Sequence, residues 1–226
     1  MVLFNRKMKY IFRLIILALG WSFIDHETCK LIKSKKKAVT VFSHTTYLDF
    51  YIFLLYKLAF PELLGNIKII VKPQPFAYAG FILRYFGAIP STPVNKKNGG
   101  NTKKIAQMLS NMDSFNFLIC PKGTILKKKW RTGYYHIAKE LNVPILVGGM
   151  DYNLKKVVLF DIEQHDSIEN TERSVKLQLA NIVPLYPECE VVDIRDHSYR
   201  SIASYTHFLG ILILFFIIPM IITLIF

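Results

Sequence analysis

Two residues in this chain have the types and spacing of an acid–base pair. His44 and Asp49 stand five positions apart in the run Ser43-His44-Thr45-Thr46-Tyr47-Leu48-Asp49. Residues 38–43 before them read as a short strand and residues 47–60 as an apolar helix. A strand-to-helix turn of that length can fold the Asp carboxylate back onto one imidazole nitrogen. The other nitrogen then keeps its lone pair and can take a proton from a hydroxyl. That is general-base chemistry with an orienting carboxylate and without a serine nucleophile. His44 would also stand at the carboxyl end of its strand, where open α/β sheets hold their ligands. Spacing alone is weak support: with six His in the chain, such a pair arises by accident in roughly a quarter of comparable sequences.

A sheet is needed to present the pair, and the pattern around it supplies one. Residues 67–72, 115–120, 144–150 and 156–161 are short, rich in Val, Ile or Phe, and bounded by turn residues, as strands are. Residues 75–86, 101–112 and 132–141 fit helices between them. This alternation predicts one α/β domain around a largely parallel sheet. Residues 95–101 (Asn-Lys-Lys-Asn-Gly-Gly-Asn) form an evident loop. Residues 163–205 are more polar and weakly patterned, and no role is assigned to them.

The two ends differ from the middle. The chain of 226 residues is 52% hydrophobic, high for a soluble domain, and much of that excess is terminal. Residues 208–226 carry no charge; about 19 residues of helix reach roughly 28 Å, close to the thickness of a hydrocarbon core. A C-terminal transmembrane helix over 207–226 is therefore expected, and Pro219 is tolerable within it. Residues 10–24 are apolar but short, contain Arg13, and follow Arg6, Lys7 and Lys9. Since Trp21 to Asp25 lacks a small-residue cleavage pattern, 1–30 is read as a retained, interfacial membrane-associated helix. The domain proper is then 31–206.

Lys and Arg number 29 against 16 Asp and Glu, a net charge of +13. That excess suits an anionic membrane surface, phosphate-bearing ligands or nucleic acid. With no recognisable nucleic-acid-binding motif and an apolar tail, nucleic acid is not expected. A catalytic domain on the cytoplasmic face would bring the basic run 33–37 to anionic lipid. Cys29, Cys120 and Cys189 are widely spaced and form no C-x-x-C pair, so neither a zinc site nor a disulfide framework is expected.

Four blocks in order give the His–Asp pair its corroboration. They are His44-x4-Asp49, Gly87-Ala88-Ile89, Pro121-Lys122-Gly123-Thr124, and Val143-Pro144-Ile145-Leu146-Val147. The set resembles the glycerolipid acyltransferases, whose type member is 1-acylglycerol-3-phosphate acyltransferase. The resemblance runs from about Val39 to Tyr152, and the segment Trp130 to Ala138 with Asp151-Tyr152 looks like one branch of that family. It implies transfer of a fatty acyl group from acyl-CoA or acyl carrier protein to the hydroxyl of a lysophospholipid, at a membrane, with His44 and Asp49 catalytic. The acyl donor is a substrate, and no resident cofactor or metal is implied.

Departures from the family pattern concern the acceptor. Pro93 stands where the second block usually ends in Arg. Lys122 and Ile125 replace the Glu and Arg of the third, and Gly148 replaces the final Pro of the fourth. The replaced Arg and Glu positions are associated in the family with holding glycerol phosphate. Basic residues near the same sheet edge could hold an anion instead. Lys122, Gly123 and Thr124 occupy a turn after a strand, and Lys72, Arg84 and Arg131 are further candidates. Residues 50–58 read either as acyl-channel lining or as ordinary core. The alternatives to an acyltransferase are a non-catalytic lipid-binding membrane protein of the same fold and a thioesterase.

Overall fold

A strand buried on both faces needs partners on both sides, and the strand ahead of His44 has them. The computed structural model describes residues 6–91, 100–123, 130–162 and 167–186. In it, β1 (Lys37–Phe42) pairs in parallel with β4 (Phe115–Ile119) on one side and β5 (Ile145–Asp151) on the other. β2 (Ile67–Val71) and β3 (Ala88–Pro90) extend the parallel sheet beyond β4, while β6 (Lys156–Asp161) closes the far side antiparallel to β5. The order is β3-β2-β4-β1-β5-β6. The expected α/β domain with a mostly parallel sheet is thus present, with β3 as an addition.

Alternation along the strands divides the core. Val39, Val41, Phe115, Phe117, Ile145 and Val147 pack with α6 (Gly100–Ser110), α7 (Gly133–Leu141) and α8 (Ile168–Leu179). Phe42, Leu118 and Met150 belong to the other cluster, with α1 (Arg6–Ala18) and α3 (Leu48–Ala59). Two shorter helices, α4 (Pro61–Leu64) and α5 (Phe76–Tyr85), flank β2. Residues 50–58 are largely core: Ile52, Phe53, Leu54 and Leu55 are buried in the α1–α3 cluster.

The N-terminal helix is shorter than the apolar run 10–24 suggests. α1 ends at Ala18, Gly20 turns the chain at φ +76°, and α2 (His26–Ser34) starts afresh with Asp25 capping Thr28 N–H. Met8, Phe12 and Ile16, one turn apart, are buried. Burial of three such side chains contributes roughly 5–9 kcal/mol at most, so α1 is an integral part of the core. Arg13, the charge within that apolar run, donates to the Ala59 carbonyl and pairs with Glu62 at 2.9 Å. Among the described residues no helix is long and apolar enough to cross a membrane. The expected C-terminal membrane helix over 207–226 lies outside the described residues.

A buried amine ties α3 to the sheet. Lys57 is 8% exposed, and its Nζ donates to the carbonyls of Ile67 and Phe86 at 2.9 Å each. Gly87, which opens the second sequence block, lies alongside at φ +81°. A Cβ there would sit 2.5 Å from Ile67 O, so only glycine fits. Burial, helped by nearby Lys68, lowers the Lys57 pKa from 10.5 to about 8.

Between about pH 8 and 10.5 the unfolded chain therefore holds more protons at this site than the folded one, and stability rises with pH. Below that window both states are charged and the burial cost is fully present. Thermal unfolding of wild type and Lys57→Met from pH 8 to 10 should show wild type gaining roughly 2–3 kcal/mol relative to the variant. A pH-independent difference would mean that the amine is not desolvated.

Candidate active site

His44 follows β1 by two residues, at the carboxyl edge of the sheet, and Asp49 lies in the first turn of α3. The five-residue spacing works because the loop between them wraps around the carboxylate. Asp49 Oδ2 accepts from the backbone N–H groups of Thr45 at 2.9 Å and Thr46 at 3.0 Å. Thr46 Oγ1 in turn accepts from Leu48 N–H, and Asp49 N–H donates to the Thr46 carbonyl, which ties the loop to the start of α3. The same Oδ2 lies 3.3 Å from His44 Nδ1. A carboxylate only accepts, so Nδ1 carries the hydrogen, and it is Nε2 that presents a lone pair whenever the ring is neutral.

Burial separates the two roles. The Asp49 side chain is 5% exposed and the His44 side chain 23%. The anion is thus enclosed by donors, while the ring reaches a surface cleft. Tyr152, just past the end of β5, closes the enclosure: its hydroxyl donates to Asp49 Oδ1 at 2.7 Å. Every donor to Asp49 thereby has an assigned oxygen.

The cleft beside His44 is lined by Phe42, Ser43, Cys120, Pro121, Lys122, Trp130 and Leu179. Lys122 is 6% exposed, which places a cation within the wall of the site. Gly123 turns the chain at φ +64°, its N–H bonded to Cys120 O at 2.9 Å. Arg131 donates its backbone N–H to Pro121 O at 3.0 Å, and its guanidinium lies about 3.8 Å from where a Gly123 Cβ would be. Lys122 therefore stands beside His44, while Gly123 and Arg131 lie together at the exposed end of the same turn and do not line the cleft. Lys72 and Arg84 do not join them: both are exposed, on β2's end and on α5, and neither lines the cleft. Thr124, with Pro93 and Ile125, lies outside the described residues. Among the described residues no three His, Cys, Asp or Glu side chains are grouped to hold a metal ion.

A model of the family described as Acyltransferase matches residues 23–148, more than half of the chain. The chain belongs to that family. The matched range takes in His44, Asp49, Lys122, Gly123 and Arg131 and stops just short of Tyr152. The glycerolipid-acyltransferase resemblance read from four short blocks thus agrees with the family matched over residues 23–148. Compared with curated proteins, the chain matches none. The catalytic chemistry of the family is acyl transfer, and the His–Asp pair stands at the sheet edge suited to it.

Two contacts of Asp49 escaped sequence reading. Thr46-x-x-Asp49 has capping-box spacing, a local signal that ties Asp49 to the loop. No local signal pairs Tyr152 with a residue 103 positions away.

Asparagine at position 49 can keep an oxygen toward Thr45, Thr46 and His44 while its amide nitrogen faces the Tyr152 hydroxyl. Asp49→Asn should therefore melt within a few degrees of wild type yet lose roughly 10²-fold or more in kcat, because the charge opposite the imidazolium is gone. Asp49→Ala should lose both activity and several degrees of Tm. Comparable kcat for Asp49→Asn and wild type would remove the carboxylate's charge from the mechanism.

Proposed function

We propose that this acyltransferase moves a fatty acyl group from acyl-CoA, or acyl carrier protein, to the hydroxyl of a lysophospholipid such as 1-acylglycerol-3-phosphate. The setting is phospholipid biosynthesis or remodelling at a membrane. The observation that carries the reading is the buried Asp49 carboxylate beside Nδ1 of a partly exposed His44. His44 Nε2 takes the acceptor's hydroxyl proton as that oxygen attacks the thioester carbonyl. The tetrahedral intermediate then breaks its C–S bond, and the imidazolium returns the proton to the departing sulfur. Asp49 steadies the transient positive charge. A His–Asp distance of 3.3 Å in the resting site leaves room to shorten toward the roughly 2.7–2.9 Å of a charge-assisted bond.

Lys122 and Arg131 supply the positive charge that an anionic acceptor needs, in place of the family's usual residues. Membrane attachment is supported by the second apolar face of α1. Tyr10 is 57% and Leu14 64% exposed, with Leu17 on the same stripe and Leu19 and Phe23 following. A helix apolar on both its core side and its outer side fits a place at a lipid interface. The apolar segment 208–226 adds a second attachment.

The test uses labelled acyl-CoA and a panel of lysolipids with wild type and His44→Ala. Labelled ester should form with wild type and fall roughly 10³-fold in the variant. Equal ester in both removes His44; free fatty acid without ester makes the protein a thioesterase; no product from any acceptor favours the non-catalytic lipid-binding alternative. Within the same panel, Lys122→Ala should raise KM about tenfold for phosphate-bearing acceptors and leave neutral acceptors unaffected. An equal change for both classes would separate Lys122 from acceptor charge.

A further inference from the structure

The Asp49 carboxylate is gripped from two directions. Oδ2 is held by its own loop, through Thr45 N–H, Thr46 N–H and His44 Nδ1. Those contacts converge on one oxygen and leave the carboxylate plane free to pivot about it. Oδ1 is held by the Tyr152 hydroxyl, which arrives from the β5–β6 turn. Because a carboxylate only accepts, the phenol proton points at Asp49. Burial and the neighbouring Asp49 charge push the phenol far above its ordinary pKa, so that proton stays in place over any working pH.

Tyr152 is itself fixed by its surroundings. The edge of Trp21 meets its ring at 5.1 Å and 84°, and its backbone N–H donates to Val183 O at 2.8 Å. Trp21 is held in turn because Ser22 N–H bonds to Lys155 O at 2.7 Å and the Tyr56 hydroxyl donates to Ser22 O. A tyrosine placed only for packing would not need its hydroxyl on the one carboxylate that faces the imidazole.

We infer that Tyr152 is a positioning residue, orienting the Asp49 carboxylate plane and setting how strongly it attracts the His44 imidazolium. The inference rests on the acyl-transfer reading of the His44–Asp49 site. By donating to Oδ1, Tyr152 withdraws part of the anion's charge from Oδ2. The pull of Oδ2 on the His44 ring is thereby weaker than the bare pair would give. The titratable groups around this unit are Asp49, Tyr47, Cys120 and Lys122 near His44, with Lys155 and Tyr186 on the Tyr152 side. None of them changes in the variants below.

The experiment compares wild type, Tyr152→Phe, and protein carrying 3-fluorotyrosine at position 152, each full length. Histidine ¹⁵N resonances are titrated, and His44 is assigned by its loss in His44→Ala. Phenylalanine keeps the ring against Trp21 but removes the donor; fluorotyrosine keeps the shape and donates more strongly. The His44 imidazole should titrate about half a pH unit higher in Tyr152→Phe and lower in the fluorotyrosine protein. In acyl transfer, the acid limb of kcat/KM should move in the same two directions. For Tyr152→Phe, kcat should fall about tenfold with KM unchanged.

Unchanged His44 titration in both variants overturns the inference, whatever the activity. If Tyr152→Phe does not fold, the fluorotyrosine protein alone decides by the sign of its shift. If wild type has no acyl-transfer activity, the functional reading fails while the titration still tests the Tyr152 link.

Discussion

A carboxylate shut away from water is costly to bury, by several kcal/mol, unless donors replace the water it gave up. In this fold Asp49 is the group that imposes that demand, and much of the local architecture answers it. The loop from Ser43 to Tyr47 curls so that two consecutive N–H groups face one oxygen. α3 begins where its positive end adds to the same anion. β5 continues far enough for the residue after it to reach the second oxygen. Among the described donors to this carboxylate His44 is the one that also lines the cleft, so the solvation of Asp49 and the proposed catalytic arrangement share a solution. Losing the carboxyl group altogether would weaken the helix start, the loop and the hold on His44 together.

The parts of this arrangement that were legible in the sequence are those encoded locally. Val39, Val41, Phe115, Phe117, Ile145 and Val147 lie in short runs between turn residues, and the nearly continuous burial of those strands follows from the apolar chemistry of their side chains. Ala88-Ile89-Pro90 escaped as β3 because three residues ending in proline carry almost no periodic signal; edge position is what tolerates them. α2 was hidden by its composition, since His26 to Ser34 is polar and packs only part of its surface. α8 was hidden in a polar stretch for the same reason, though Thr171, Val175 and Leu179 give it one buried stripe.

The site was legible to the same extent. His44 and Asp49 could be paired because the turn between them is short. Lys122 could be suspected from its block, but its burial beside His44 depends on β4 lying next to β1, which spacing does not reveal. Arg84 was grouped with the others by proximity in topology, yet it lies exposed over the Phe76 ring at 5.8 Å on the flank of the sheet. Position along the strand order, more than charge, separated the basic residues that meet the cleft from those that do not.

The stapling of Trp21 and Ser22 onto the turn after β5 has a consequence for how the protein is made. The Trp21–Ser22 segment is locked by one that leaves the ribosome some 130 residues after it, a wait on the order of 10 s at ordinary elongation rates. During that interval α1 has neither its inner partner fully assembled nor its outer apolar stripe covered. A nascent chain with this order of events gains from a lipid surface or a chaperone close to the exit tunnel. The Asp49 carboxylate gains its Tyr152 donor only when that wait is over, so its enclosure is finished only once β5 has emerged.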